Sequence, residues 1–228
     1  MKITRHAIYY APEPGPLARF GAAWLGWDAD TGTPVPHPDV PGLPLPLEEI
    51  TQTPRKYGLH GTIKPPFRLS EGLDQPRLEQ AISDLCHGLS PVTLDGLALS
   101  ALGSFLALTP TGDMTPLSDL AAEVVRALDP FRAPATEEEL EKRRNARLSP
   151  RQEANLIRWG YPYVMEDFRF HITLTGRLPK SARKATEAAL APVLALLLPH
   201  PFKIESLCHF GEDERGRFHL LKRYPLGE

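Results

Sequence analysis

Two matching tripeptides, His60-Gly61-Thr62 and His171-Ile172-Thr173, each set an imidazole two residues before a hydroxyl. Residues i and i+2 share a face when the chain is a β-strand. Two such strands side by side would present two imidazoles and two hydroxyls to a single phosphate. Cleaving a phosphodiester with water needs a base for the nucleophile, an acid for the leaving oxygen and donors for the phosphoryl oxygens. Two histidines with ordinary pKa values near 6.5 can hold opposite protonation states at neutral pH, on opposite sides of phosphorus as in-line displacement requires. The hydroxyls supply donors. No metal is required by this chemistry.

A chain with 8 His and 14 Thr gives about 0.5 His-x-Thr matches by chance, so the flanking residues decide what the motif means. Around the second copy, Arg169, His171, Thr173, Thr175 and Arg177 are polar while Phe168, Phe170, Ile172 and Leu174 are apolar. That strict period of two predicts a half-buried strand with a polar face. Around the first, His60, Thr62 and Lys64 share one face, with Leu59 and Ile63 on the other. Lys64, Arg169 and Arg177 are the cations expected to hold non-bridging oxygens by charge-assisted hydrogen bonds. Tyr57, with Arg55 and Lys56 before it, leads into the first motif, and Tyr161 and Tyr163 lead into the second. All three tyrosines are candidate substrate contacts, Tyr57 able to close on a phosphate with Arg55 and Lys56, Tyr161 and Tyr163 able to stack on a base or sugar, or else to pack as ordinary aromatics. Neither motif offers a His-x-His or a carboxylate on its polar face, so metal ligation is not expected. The other histidines, His6, His37, His87, His200, His209 and His219, read as structural or exposed, with His209 the least readily dismissed.

The elements that would position these groups recur. A helix is predicted over about 74–88 after the His60 strand, with Leu78, Ile82 and Leu85 on one side, and another from near Ser181 after the His171 strand. Each is followed by two strands. Val92–Ala98 matches Phe202–Cys208, and Phe105–Leu108 matches Phe218–Leu221, at offsets close to that between the histidines. A unit of about 57–110 and a second of about 168–224 therefore predict an α+β fold: one two-lobed domain over 1–228, duplicated about a pseudo-twofold axis, with an antiparallel sheet in each lobe, helices outside and a central groove. A strand over 3–10 and a helix over 16–25 precede the repeats. Between the repeats, Thr115-Pro116 predicts a helix start, and Thr136 with Glu139 and Ser149 with Gln152 predict capping boxes. The run Glu137-Glu138-Glu139 before Lys142-Arg143-Arg144 suits ion pairs on a solvated helix. Prolines concentrate over 33–54, where the six from Pro34 to Pro46 rule out a helix or central strand, and the segment is expected to be an ordered loop or a lid over the site.

With 228 residues, 42% of them hydrophobic, the chain can bury a substantial core. A formal charge of −2 argues against coating nucleic acid in bulk, and a small or terminal phosphorylated substrate fits better. Cys86 and Cys208 stand apart with no metal or disulfide spacing, which points to a reducing cytoplasm. The first residues lack an apolar leader-like run, and the apolar stretch 188–198 is short and contains Pro192, so no membrane segment is expected.

The segments Tyr57–Phe67 and Phe168–Leu178 resemble the paired signatures of the two-histidine phosphoesterase superfamily, which includes cyclic phosphodiesterases. Their extended form, with Trp159–Val164, Phe20-Gly21 and Trp24-Leu25-Gly26, is similar to a branch associated with phosphonate-utilisation operons and of unassigned function. The resemblance implies a bilobal cyclic-phosphodiesterase-like fold, a groove needing no cofactor, catalytic His60 and His171, and phosphate-binding Thr62 and Thr173. A cyclic phosphate of a sugar or nucleotide, or an RNA end, would be opened there. The competing reading is a module that binds a phosphorylated metabolite or RNA end without turnover.

Overall fold

The computed structural model describes residues 1–227. The chain opens with β1 (Ile3–Tyr10), α1 (Pro16–Leu25), β2 (Trp27–Asp28), β3 (Thr33–Pro34) and α2 (Leu47–Ile50). The first set of repeated elements is β4 (Gly61–Phe67), α3 (Gln75–Gly88), β5 (Val92–Leu94), β6 (Gly96–Leu102) and β7 (Phe105–Thr111). Next come α4 (Thr115–Ala127), α5 (Glu137–Arg144) and α6 (Pro150–Trp159). The second set is β8 (Ile172–Thr173), α7 (Lys180–Leu194), β9 (Phe202–Ile204), β10 (Ser206–Asp213) and β11 (Phe218–Pro225).

The fold is α+β and its main sheet is antiparallel, with seven strands in the order β11-β10-β1-β4-β8-β7-β6. Where the sequence predicts a sheet for each lobe, the structure joins the two halves into one through the single pair Gly61↔Ile172 between β4 and β8. The halves are also exchanged relative to the repeats. The β10–β11 hairpin lies on the β4 side, next to β1, and the β6–β7 hairpin lies against β8. α3 packs on β10 and β11, and α7 on β6 and β7. Each half thus combines the His-x-Thr strand of one repeat with the hairpin of the other. β5 and β9, in separate two-stranded pairing, tie the repeats together at Val92↔Ile204 and Leu94↔Phe202. A break at Asp95 and again at Glu205 divides each Val92-like segment in two, in step with the repeat.

The larger core lies between the sheet and its helices, built from residues such as Ile8, Ile63, Leu78, Leu106, Leu120, Phe170, Ile172 and Phe202. A smaller cluster of Ala7, Tyr9, Ala11, Cys208, Phe210 and Phe218 fills the opposite face beneath Tyr57 and Ala29. The helices begin where their caps dictate. Asp74 accepts from the Arg77 amide, and Thr136 and Ser149 each close a capping box. α4 starts one residue before the sequence signal, with Met114 as its N-cap, and Asp113 Oδ1 accepts from the Thr115 amide at 2.9 Å.

Two irregularities shape the centre of the sheet. β4 carries a bulge against β1: Tyr9 pairs with Thr62 and Ile8 with Lys64, leaving Ile63 as an extra residue. Ile63 and Lys64 are consequently both buried. β8 is far shorter than its alternation predicts. Thr175 turns inward, where its Oγ1 accepts the Leu106 amide at 3.0 Å, so the ladder with β7 ends there. The proline-rich segment is anchored: Val40, Leu47 and Ile50 enter the core, and Arg55 donates to the carbonyls of Leu25 and Glu48.

Candidate active site

The antiparallel register Gly61↔Ile172 sets His60 across from Thr173 and Thr62 across from His171. All four side chains keep partial exposure on one face of the sheet, while Gly61, Phe170 and Ile172 are buried on the other. Neighbours of this kind have Cβ atoms about 4.5–5.5 Å apart when opposite and roughly 7–8 Å when diagonal. The two imidazoles occupy one diagonal and the two hydroxyls the other.

Both rings are pinned in the same way. His60 Nδ1 lies 2.9 Å from the Gly58 carbonyl oxygen, and His171 Nδ1 lies 2.8 Å from that of Arg169. A carbonyl can only accept, so each Nδ1 carries the hydrogen and each neutral ring leaves Nε2 free for a ligand. The surroundings differ. His60 stacks on the buried Tyr9 ring at 4.0 Å between centroids, with the Tyr57 ring at 5.4 Å. Loss of hydration within this aromatic enclosure lowers its pKa to about 4, against the opposing hydrogen bond to Gly58 and with a small further push from His171. His171 has the more open setting, with Phe105 at 5.8 Å.

A groove of about 390 Å³ takes in one side of this square. Thr62 and His171 form one end; Tyr161, Tyr163 and Arg169 line it with the apolar Pro65, Leu102, Val164 and Phe168. The tyrosines meet edge to face at 5.7 Å. Arg169 donates through Nη1 to the carbonyls of Glu166 and Phe168, which orients its guanidinium. The Tyr57, Tyr161, Tyr163 and Arg169 side chains expected from the sequence therefore gather around the two motifs.

Lys64 does not. The bulge in β4 turns it into the core, where Nζ donates to the Val125 carbonyl at 3.1 Å and lies 3.6 Å from Asp129. Burial lowers its pKa to about 8, with Asp129 opposing. Arg177 is exposed beyond the end of β8 and does not line the groove. Tyr9, missed from the sequence, is brought to His60 by β1, and its only local signal was an aromatic in a strand that alternates poorly. His209 lies within the fold, its Nε2 2.9 Å from His6 Nδ1. Among the described residues no group of three His, Cys, Asp or Glu side chains forms that could hold a metal ion, and no helix is long and apolar enough to cross a membrane.

A family model described as "Protein of unknown function (DUF1045)" matches residues 62–219. Two curated relatives bear the name ribose 1,5-bisphosphate phosphokinase PhnN. The one from Janthinobacterium sp. (strain Marseille) is 39% identical over 94% of this chain, and the one from Laribacter hongkongensis (strain HLHK9) is 34% identical over 96%. The match takes in 49% and 51% of their lengths, so the chain spans about half of each. Among solved structures, Escherichia coli LigT complexed with 3'-AMP aligns over the whole of both chains with 16% identity and a TM-score of 0.44. Kluyveromyces marxianus Usb1 aligns over 98% of this chain and 99% of its own with 9% identity and a TM-score of 0.43. These structural likenesses are too distant to bear on the chemistry.

Proposed function

The chain belongs to the DUF1045 family, and for it we propose a metal-independent phosphodiesterase activity that opens a cyclic phosphodiester by acid–base catalysis between His60 and His171. The observation that carries this reading is the four-residue square with both Nδ1 atoms tied to backbone carbonyls, which leaves both Nε2 atoms free for a ligand. His60, held neutral, is the base. Its Nε2 takes a proton from water as the new P–O bond forms, the ring P–O ester bond breaks, and His171 Nε2–H protonates the leaving alkoxide. Thr62 and Thr173 donate to the non-bridging oxygens, which need neutralising as charge builds. His60 then returns its proton to solvent and His171 regains one. The relatives' name refers to a ribose bisphosphate, which favours a cyclic phosphate of a phosphorylated ribose, of the kind formed in phosphonate breakdown, over an RNA end.

The test is hydrolysis by chelator-treated protein of ribose cyclic phosphates, 2′,3′-cyclic nucleotides and RNA ending in a cyclic phosphate. Turnover of at least one, undiminished by chelation, is expected. Activity that disappears with chelation and returns with a divalent ion would replace this reading with a metal-dependent one.

A further inference from the structure

We propose that Arg143 of α5, which stacks on the groove residue Tyr161, is a specificity-determining residue that binds a second phosphate of the substrate, remote from the one cleaved. The proposal rests on the phosphodiesterase reading above, and names the substrate class as a cyclic phosphodiester bearing another phosphoryl group.

α5 is an unusual element to find beside a groove, because it buries no side chain. It is held by its capping box and by ion pairs, Arg68 with Glu139 and Arg144 with both Glu137 and Glu153. The sequence suggests that its whole basic run is spent in such pairs. Arg143 departs from this. Among the described residues it makes no ion pair, and its guanidinium lies 4.8 Å from the centre of the Tyr161 ring, which lines the groove with Thr62 and His171. A guanidinium stacked on an aromatic face is oriented by the ring, yet keeps its N–H edge free for a bidentate anion. Phosphate matches that edge in shape and charge.

The charge of the groove agrees. Asp167 is the one carboxylate among its lining residues. It is held by two bonds from Arg151, at 2.7 and 3.0 Å, with Gln152 at 3.3 Å, so its charge is answered locally. Arg169 spends only Nη1 on backbone carbonyls. A ligand in the groove therefore meets the Arg169 edge within the lining and the Arg143 edge beside Tyr161, against no free carboxylate of the lining.

The experiment compares adenosine 2′,3′-cyclic phosphate with the same compound carrying a 5′-phosphate, in the wild type, Arg143→Gln and the charge control Lys142→Gln. The wild type should prefer the 5′-phosphorylated compound about tenfold in kcat/KM, chiefly through KM, as losing one charge-assisted contact implies. In Arg143→Gln the ratio should fall towards one, and in Lys142→Gln it should persist. Calorimetry with the same two compounds gives the ratio of Kd without any turnover. A Kd ratio that depends on Arg143 in a protein that hydrolyses neither compound would remove the enzymatic reading and keep the anion site. A wild-type ratio of one, a ratio unchanged in Arg143→Gln, or no binding of either compound would overturn the site.

Discussion

The Phe170 ring occupies the space where a side chain on Gly61 would lie: a Cβ there would stand 2.2 Å from Phe170 Cζ. Gly61 is the only residue of β4 bonded across to β8, so this close approach is what brings the two His-x-Thr segments together. Gly61→Ala must displace the ring or part the strands, and overpacking of this kind destabilises by about 1–3 kcal/mol. Denaturant unfolding should show that loss. Turnover should fall further than in a surface variant of equal stability, since the imidazole spacing changes with the strand spacing.

The two histidines should leave different marks on the pH profile. A base that must be neutral loses activity as pH falls through its pKa, and the aromatic enclosure lowers that of His60 from 6.5 to about 4. The acid limb of kcat/KM is therefore expected near pH 4, with no break near 6.5 on that side. An acid limb at 6.5 would contradict a His60 base with a lowered pKa.

Tyr9 provides the shield, as a buried ring stacked directly on His60. Tyr9→Val keeps a strand-forming residue but admits water, and the His60 ring should then titrate higher, by a unit or more in NMR. Tyr9→Phe retains the stack and should titrate like the wild type. If the folded valine variant titrates unchanged, Tyr9 has no part in setting the state of His60.

Lys64 predicts a separate effect on stability. Its folded pKa is lowered from 10.5 to about 8, so between those values the unfolded chain holds a proton that the folded chain has released. Stability contributed by this site rises with pH across that window. Chemical denaturation from pH 8 to 10.5 should show the rise, and Lys64→Met should abolish it.

Much of the site was legible because it depends on local period. The alternation from Phe168 to Leu174 survives as alternating burial, and the capping boxes at Thr136 and Ser149 form as written. The extended motifs also led to a branch of unassigned function, in keeping with the family matched. What could not be read came from pairing between distant segments. The bulge that buries Lys64 arises only against β1, and the inward turn of Thr175 only against Leu106. The exchange of hairpins between halves leaves the repeat offset unchanged, so no spacing could reveal it. Arg143 looked like its neighbours in a charged run; its contact with Tyr161 depends on how α5 and α6 return to the groove.

The proposed activity requires two histidines to share one phosphate as base and acid. Its most direct test is single-turnover hydrolysis of a cyclic phosphate by the wild type, His60→Ala and His171→Ala, each with its fold checked by circular dichroism. Loss of about 10²–10⁴-fold in each variant, with substrate still bound, is the predicted result. Full rate in either folded variant would contradict it.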